Sequence, residues 1–185
     1  MESQIIRLGA TALHVGVTGH GPDVVVLTGG PGCVQYLERD DLAPRNHRAW
    51  YPEPRGVGRS GGGPHTMEDA IADLEGIRAA VGVRTWIVVG HSWGCDLAVR
   101  YAVEHPEAVA AVVGIAGRGP QRDRTWSEAY EACPPWSMAQ IAALIRRGRF
   151  TTVPDVPHDF WFTHPEVWTR TVTDACTDHG RSPSP

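Results

Sequence analysis

The sequence predicts an α/β domain with a mainly parallel sheet and helices on both faces. Strand-like and helix-like apolar patterns alternate along most of the chain, which is typical of this class. A continuous apolar run at 24–27 (Val-Val-Val-Leu) is typical of a strand buried on both faces of a parallel sheet. The composition, 42% apolar and 21% charged over 185 residues, is close to that of globular proteins. A chain of this length can bury a core without disulfides or a metal.

The first half of the chain supplies a hairpin, two further strands and a helix. Alternating apolar side chains over 4–18 predict two antiparallel strands joined near Gly9. Strands are expected over 23–28 and 48–51. A helix is expected over 66–80, because its apolar residues recur at helical spacing and Thr66 can cap its start. Those apolar residues are Met67, Ile71, Leu74 and Ile77.

The second half continues the alternation. Its predicted elements are a strand over 86–89, a helix over 96–103, a strand over 109–115, an amphipathic helix around 138–145, a final strand over 150–153 and a closing helix over 166–176. No internal repeat or low-complexity linker interrupts them. We therefore predict a single domain over 1–180 and a frayed tail over 181–185.

Charge and cysteine usage exclude several classes of function. The net charge is −4 and the chain has no lysine, which excludes Schiff-base and P-loop lysine chemistry. Dispersed arginines on an acidic chain give no basis for nucleic-acid binding. The four cysteines show no zinc-type spacing, and no metal or cofactor is predicted. No export signal or membrane-spanning segment is apparent, so we expect a cytoplasmic protein with a small-molecule substrate and neither a membrane nor nucleic acid as partner.

The segment Gly90-His91-Ser92-Trp93-Gly94 matches the pattern G-x-S-x-G between a predicted strand and a predicted helix. In that setting a serine sits on a tight turn, with its hydroxyl above the sheet edge. The small residues two positions to either side let the strand and the helix approach each other. The amide of Trp93, at the start of the helix, can donate to an oxyanion. Ser92 is therefore the candidate nucleophile.

Two glycine-rich turns follow strands. Thr28-Gly29-Gly30-Pro31-Gly32 comes after the first buried strand, and its main-chain amides can face a substrate carbonyl. The segment 56–61 spells G-x-G-x-x-G, the pattern of a dinucleotide-binding loop. Such a loop must open directly into a helix. This one continues into Gly62-Gly63-Pro64, so we reject a dinucleotide site.

These motifs together resemble the α/β-hydrolase fold family, in particular its proline iminopeptidase-like branch. The 28–32 segment is similar to the family's His-Gly-Gly-Pro-Gly box, with Thr28 in place of the histidine. The resemblance implies that Gly30 supplies the second oxyanion amide beside Trp93. The segment 53–60 resembles the family's Asp-x-Arg-Gly-x-Gly-x-Ser turn, with Glu53 in place of the aspartate. That turn is structural in the family.

The resemblance also points to the base. His158 follows the predicted strand over 150–153, where the family carries its catalytic histidine in a loop. His164 and His179 are alternatives. His91, next to the serine, is expected to point away from it.

The triad acid is the least defined part. In this fold it lies between the serine and the histidine in sequence. The stretch 118–149 has room for one crossover of about 30 residues and not for a further strand with its own helix. Relative to the family, the cap and the acid-bearing strand are therefore expected to be missing, with the break near Cys133-Pro134. Asp123 is the candidate acid that remains, with Glu128 and Glu131 further along.

Two hypotheses of function follow from the sequence. In the first, the chain is a serine hydrolase acting on a small carboxylic ester or amide. Ser92 attacks, His158 takes its proton, and Gly30 and Trp93 hold the oxyanion. In the second, it is a shortened, catalytically impaired hydrolase-like protein that binds without turnover. A shortened sheet would leave an apolar edge, so we also expect self-association at micromolar concentration.

Overall fold

A mixed six-stranded sheet forms the centre of the protein. The computed structural model describes residues 1–63, 66–116 and 155–178. The strands are β1 (Glu2–Leu8), β2 (Thr11–Gly19), β3 (Asp23–Leu27), β4 (Arg48–Pro52), β5 (Trp86–His91) and β6 (Val109–Ile115). Their order across the sheet is β1-β2-β4-β3-β5-β6. The β1–β2 and β2–β4 pairs are antiparallel, and the other three pairs are parallel.

Four α-helices and one 3-10 turn accompany the sheet in the described ranges. They are a 3-10 turn (Asp40–Leu42), α1 (Met67–Ala80), α2 (Trp93–Glu104), the short α3 (Phe160–Thr163) and α4 (Pro165–Asp178). Helix α1 begins with a capping box, in which Thr66 Oγ1 accepts from the Asp69 amide and the Asp69 carboxylate accepts from the Thr66 amide. This confirms Thr66 as the start that the sequence predicted.

The predicted elements agree with the structure up to residue 116, and the predicted closing helix over 166–176 is confirmed as α4. The hairpin, the strands and α1 are confirmed within a few residues. Helix α2 starts at Trp93 rather than at 96, because the chain enters the helix directly after Ser92. The 3-10 turn and α3 were not predicted. The predicted helix around 138–145, the predicted strand over 150–153, the suggested break near 133–134 and the predicted tail over 181–185 lie outside the described residues.

Helices cover both faces of the sheet, as the sequence predicted. Because successive side chains of a strand point to opposite faces, the apolar run of β3 contributes to two separate cores. Val25 and Leu27 face α1 and α2, and Val24 and Val26 face α4. Helix residues complete the first core with Ile71, Leu74, Ile77, Leu97, Ala98 and Tyr101. They complete the second with Phe160, Trp168, Val172 and Cys176.

The turn after β4 is held by a buried carboxylate. Glu53 is 3% exposed, and its oxygens accept from the Gln35 amide at 3.3 Å, the Arg59 amide at 2.5 Å and Arg59 Nε at 3.1 Å. A β-carbon on Gly58 would lie 2.7 Å from this carboxylate, so the turn needs glycine there. Ser60 Oγ donates to the Glu53 carbonyl at 2.7 Å. Burial alone would raise the pKa of Glu53, but the hydrogen bonds from Arg59 and Gln35 outweigh it and lower that pKa. The 53–60 segment is thus a structural turn, and it encloses no helix start that could bind a dinucleotide.

We predict that Glu53→Gln lowers the free energy of unfolding by about 1–3 kcal/mol near neutral pH, since it removes a charged acceptor from buried donors. The folded-state pKa of Glu53 lies below its ordinary value of 4.5. Its stabilising contribution is therefore complete above pH 4.5 and is lost as the pH falls through the lowered pKa. Urea unfolding near neutral pH and below pH 4.5 should show the wild type and the variant converging at the acid end.

Glu2→Gln, at an exposed site on β1, is the matched control and should leave the stability unchanged at both pH values. A variant as stable as the wild type near neutral pH would contradict the assignment.

Candidate active site

Ser92 stands on a strained turn between β5 and α2. Its backbone has φ 53° and ψ −118°, a conformation that side-chain-bearing residues rarely adopt. The Ser92 amide donates to the Ile115 carbonyl at 2.9 Å, which ties the turn to the end of β6. The turn also follows β5 and lies beside the end of β3, at the carboxyl edge where parallel sheets carry their sites.

The two outer glycines of the motif are required by close backbone contacts. A β-carbon on Gly90 would lie 2.2 Å from the Gly94 carbonyl oxygen. A β-carbon on Gly94 would lie 2.7 Å from the carbonyl oxygens of both Leu27 and Thr28. Neither position tolerates a side chain unless the backbone shifts. These contacts explain the spacing of the pattern, because β5, α2 and the end of β3 meet at the turn with no room between them.

The Gly29-Gly30 loop packs directly against this turn. A β-carbon on Gly29 would lie 2.9 Å from Ser92 Cβ. Gly30 has φ 63°, and its carbonyl accepts from the Cys33 amide at 3.2 Å. Thr28 is buried and donates from Oγ1 to the Val34 carbonyl at 3.2 Å. The Thr28 side chain, which replaces the histidine of the family's box, thus takes part in closing the loop.

Some main-chain amides of this loop and of α2 have a hydrogen-bond acceptor and others have none. The Gly29 amide donates to the Tyr36 hydroxyl at 2.7 Å. Within the described ranges, the amides of Gly30 and Trp93 have no hydrogen-bond acceptor. Trp93 opens α2, where the first amides of a helix lack partners inside it. The two amides nominated from the sequence could therefore donate to a bound oxyanion.

His158 reaches this region through its main chain. It lies on an exposed turn before α3, and its carbonyl accepts from His91 Nε2 at 3.0 Å. The centroids of the His91 and His158 rings are 5.0 Å apart. The structure thus brings together the Gly29-Gly30 loop, the Ser92 turn and the loop of His158. The alternative His164 is at the end of α3, where its Nδ1 pairs with Thr163 Oγ1 at 2.8 Å. His179 lies outside the described residues.

Two residues that the sequence analysis did not nominate connect these segments. His91 is 2% exposed and lies between Tyr36 and the His158 carbonyl, with 2.7 Å from its Nδ1 to the Tyr36 hydroxyl. Burial lowers the pKa of His91, and the hydrogen bond to His158 offsets this only in part. Burial also raises the pKa of Tyr36. No sequence pattern joins residues 55 positions apart, so only the fold could reveal the pair.

An open cleft lies at the ends of β3 and β4. Its walls are mostly aliphatic, and the Trp93 side chain is one of them. The lining residues are Leu13, Leu27, Thr28, Pro52, Glu53, Pro54, Arg55, Ala70, Asp73, Leu74, Ile77, Trp93 and Leu97. The Arg55 guanidinium is held at the cleft by Asp73, with Nε at 2.8 Å and Nη2 at 2.6 Å from its carboxylate oxygens. The cleft therefore offers an apolar space close to the Ser92 turn.

The described residues also bear on two other kinds of site. No group of three or more His, Cys, Asp or Glu side chains there could hold a metal ion. No helix in those ranges is long and apolar enough to cross a membrane. The candidate acids Asp123, Glu128 and Glu131 lie outside the described residues.

Comparison with known proteins agrees with this geometry. A family model described as the alpha/beta hydrolase fold matches residues 22–174. The proline iminopeptidase of Xylella fastidiosa (strain 9a5c) is 41% identical over 102 residues, which cover 51% of this chain and 32% of that protein. The proline iminopeptidase of Neisseria gonorrhoeae is 38% identical over 98 residues, covering 50% of this chain and 32% of that protein. The matched stretch is thus about a third of the length of these curated relatives.

Solved structures share the fold. A proline iminopeptidase-related protein from Thermus thermophilus has a TM-score of 0.57 at 28% identity, covering 63% of this chain and 45% of that chain. A protein described as a predicted CIB-like hydrolase from Thermoplasma acidophilum has a TM-score of 0.71 at 15% identity, covering 94% of this chain and 96% of that chain. The second likeness concerns the fold alone, and it shows the fold in a chain of nearly the same size. With the family model matching most of its residues, this chain belongs to the α/β hydrolase fold family, and half of its length is similar to proline iminopeptidases.

Proposed function

We propose that the protein is a serine hydrolase that cleaves a small carboxylic ester or amide through an acyl-enzyme on Ser92. The observation that carries the proposal is the strained backbone of Ser92, held between β5 and α2 by Gly90 and Gly94. Such strain persists only where the surrounding structure maintains it, and it is typical of catalytic positions. The similarity to proline iminopeptidases over half of the chain supports hydrolysis as the reaction class.

In the proposed reaction, Ser92 Oγ attacks the substrate carbonyl carbon while the His158 imidazole takes the hydroxyl proton. The carbonyl π electrons move to oxygen, and the amides of Gly30 and Trp93 donate to the resulting oxyanion. Collapse of this intermediate breaks the bond to the alcohol or amine, which leaves with the proton from His158. Water then attacks the acyl-enzyme with His158 again as base, which releases the acid and restores Ser92. Asp123 stays our candidate for the acid that orients His158.

The first test is pre-steady-state hydrolysis of p-nitrophenyl acetate. An acyl-enzyme predicts a burst of p-nitrophenol that equals the protein concentration, followed by slower turnover. The same experiment with His158→Ala should lose the burst, and His164→Ala is the matched control that should keep it. A steady rate with no burst in the wild type, equal to that of the His158→Ala protein, would argue against a Ser92–His158 mechanism.

A second candidate function is binding without turnover by a catalytically impaired, shortened hydrolase-like protein. The observation that favours it is the length of the match, about a third of each curated relative. Calorimetric titration with short-chain carboxylic acids and esters distinguishes the two. Saturable binding of an ester that is recovered intact supports the binder, whereas recovery of the acid and the alcohol supports the hydrolase.

We predict that the protein accepts short activated esters and has no strong proline-aminopeptidase activity. The stretch 118–149 is about as long as a single crossover and is too short for a cap that would recognise a free amino terminus. The measurement compares kcat/KM for p-nitrophenyl acetate with that for Pro-β-naphthylamide. Efficient release of β-naphthylamine from the proline substrate would contradict the prediction that the site lacks such a cap.

A further inference from the structure

A continuous chain of hydrogen bonds joins the Gly29-Gly30 loop to the loop of His158. It runs from the Gly29 amide to the Tyr36 hydroxyl (2.7 Å), from that hydroxyl to His91 Nδ1 (2.7 Å), and from His91 Nε2 to the His158 carbonyl (3.0 Å). The chain crosses the sheet edge beside Ser92, since His91 is the residue that precedes it. Both segments that the proposed mechanism needs are therefore tied to one buried imidazole.

The groups at the two ends of this chain of hydrogen bonds determine which atom donates in each bond. The His158 carbonyl can only accept, so His91 Nε2 carries the proton. In a neutral ring Nδ1 then has a free lone pair, and it accepts from the Tyr36 hydroxyl. That hydroxyl in turn accepts from the Gly29 amide, which can only donate. A cationic His91 would present a second donor to Tyr36 and break this order.

Aromatic packing fixes the same two side chains. The Tyr36 ring stacks on Trp161 at 4.7 Å and 24°, and the His91 ring meets the edge of Trp168 at 5.7 Å and 72°. Trp161 lies in α3 and Trp168 in α4, the two helices that follow His158. The rings thus contact the segment of His158 through packing as well as through the hydrogen bond.

We infer that Tyr36 and His91 are positioning residues that set the loop of His158 relative to the Gly29-Gly30 loop. This inference rests on the proposed function, because it assigns the two residues to the alignment of its base and its oxyanion amides. In the proposed mechanism neither residue exchanges a proton with the substrate. Loss of the chain should displace the base or the amides by a fraction of an ångström, which lowers the rate of the chemical step more than it changes substrate binding.

The test compares kcat and KM for p-nitrophenyl acetate across matched variants. Tyr36→Phe and His91→Leu each break the chain, and both should lower kcat by about 10- to 100-fold while KM changes by less than about 3-fold. The double variant should be no slower than His91→Leu alone, because both changes break one chain. His91→Gln keeps a donor and an acceptor on one side chain and should recover most of kcat.

Tyr101→Phe is the matched control. It removes another partly buried tyrosine hydroxyl, which donates from α2 to Glu75 Oε2 of α1 at 2.8 Å, and it should leave kcat unchanged. If Tyr36→Phe and His91→Leu keep the wild-type kcat while Ser92→Ala abolishes turnover, the positioning role is wrong and the proposed function stands.

A measurement that does not depend on turnover covers the case in which the protein has no esterase activity. Nitrogen NMR of the histidine rings should show an unprotonated Nδ1 on His91, and Tyr36→Phe should shift the signals of both His91 and His158. If the protein has no esterase activity but shows these shifts, the proposed function fails and the structural link holds. A His91 ring protonated at Nδ1, or a His158 signal that Tyr36→Phe leaves unmoved, would overturn the inference.

Discussion

Ser92→Ala should lower the hydrolysis of p-nitrophenyl acetate by about 10³-fold or more, because the variant has no oxygen to form the acyl-enzyme. The melting temperature should change little. Alanine has nearly the same backbone preferences as serine, and the hydrogen bonds of the turn are made by the Ser92 main chain. The Ser92 amide donates to the Ile115 carbonyl, and the Ser92 carbonyl accepts from the Cys95 amide. The measurement is kcat/KM together with a thermal melt of the same preparation.

Ser3→Ala is the matched control for this variant, since Ser3 is an exposed serine on β1 far from the site in the sheet order. It should behave as the wild type in both assays. Residual activity of Ser92→Ala equal to that of the wild type would exclude Ser92 as the nucleophile, whatever the geometry of its turn.

Gly94→Ala should destabilise the protein by about 3 kcal/mol and remove activity as well. The added β-carbon would lie 2.7 Å from two carbonyl oxygens at the end of β3, and main-chain atoms cannot move aside as a flexible side chain can. For a chain of this size the loss corresponds to a fall in melting temperature of about 10 °C. Helix α2 would have to shift away from β3, taking the Trp93 amide and Ser92 with it.

The control for the glycine variant is Gly114→Ala in β6. The added β-carbon would be 3.4 Å from the sulfur of Cys95, which lies in α2 next to Gly94. It would meet no main-chain atom within 4 Å. This variant should melt close to the wild type and retain most of the activity. A Gly94→Ala protein that is as stable as Gly114→Ala would show that α2 does not approach β3 this closely.

The strands and the long helices were predictable, the closing helix α4 included, because each has a local cause in the sequence. The β-branched run from Val24 to Leu27 favours a buried strand, and Thr66 with Asp69 marks the start of α1. The sequence predicts the start of α2 three residues too late, since its first turn is determined by the strained Ser92 rather than by helix-forming residues. The short helix α3 could not be predicted, because four residues are too few to show a periodic pattern.

The candidate site divides in the same way. Ser92, Gly30 and Trp93 lie in short motifs whose spacing reflects contacts between adjacent segments, so sequence alone could nominate them. Tyr36 and His91 act through hydrogen bonds between residues 55 positions apart, which no local pattern encodes. The self-association expected from the sequence stays a prediction, and light scattering over a range of concentrations tests it.

Labelling with a fluorophosphonate probe tests the central claim most directly, because the reagent forms a stable bond only with an activated serine. Intact-protein mass spectrometry should show a single adduct on the folded wild type, and peptide mapping should place it on Ser92. The Ser92→Ala protein should take up none. A folded wild-type protein that stays unlabelled, or an adduct on a different serine, would contradict the account of this protein as a hydrolase with Ser92 as its nucleophile.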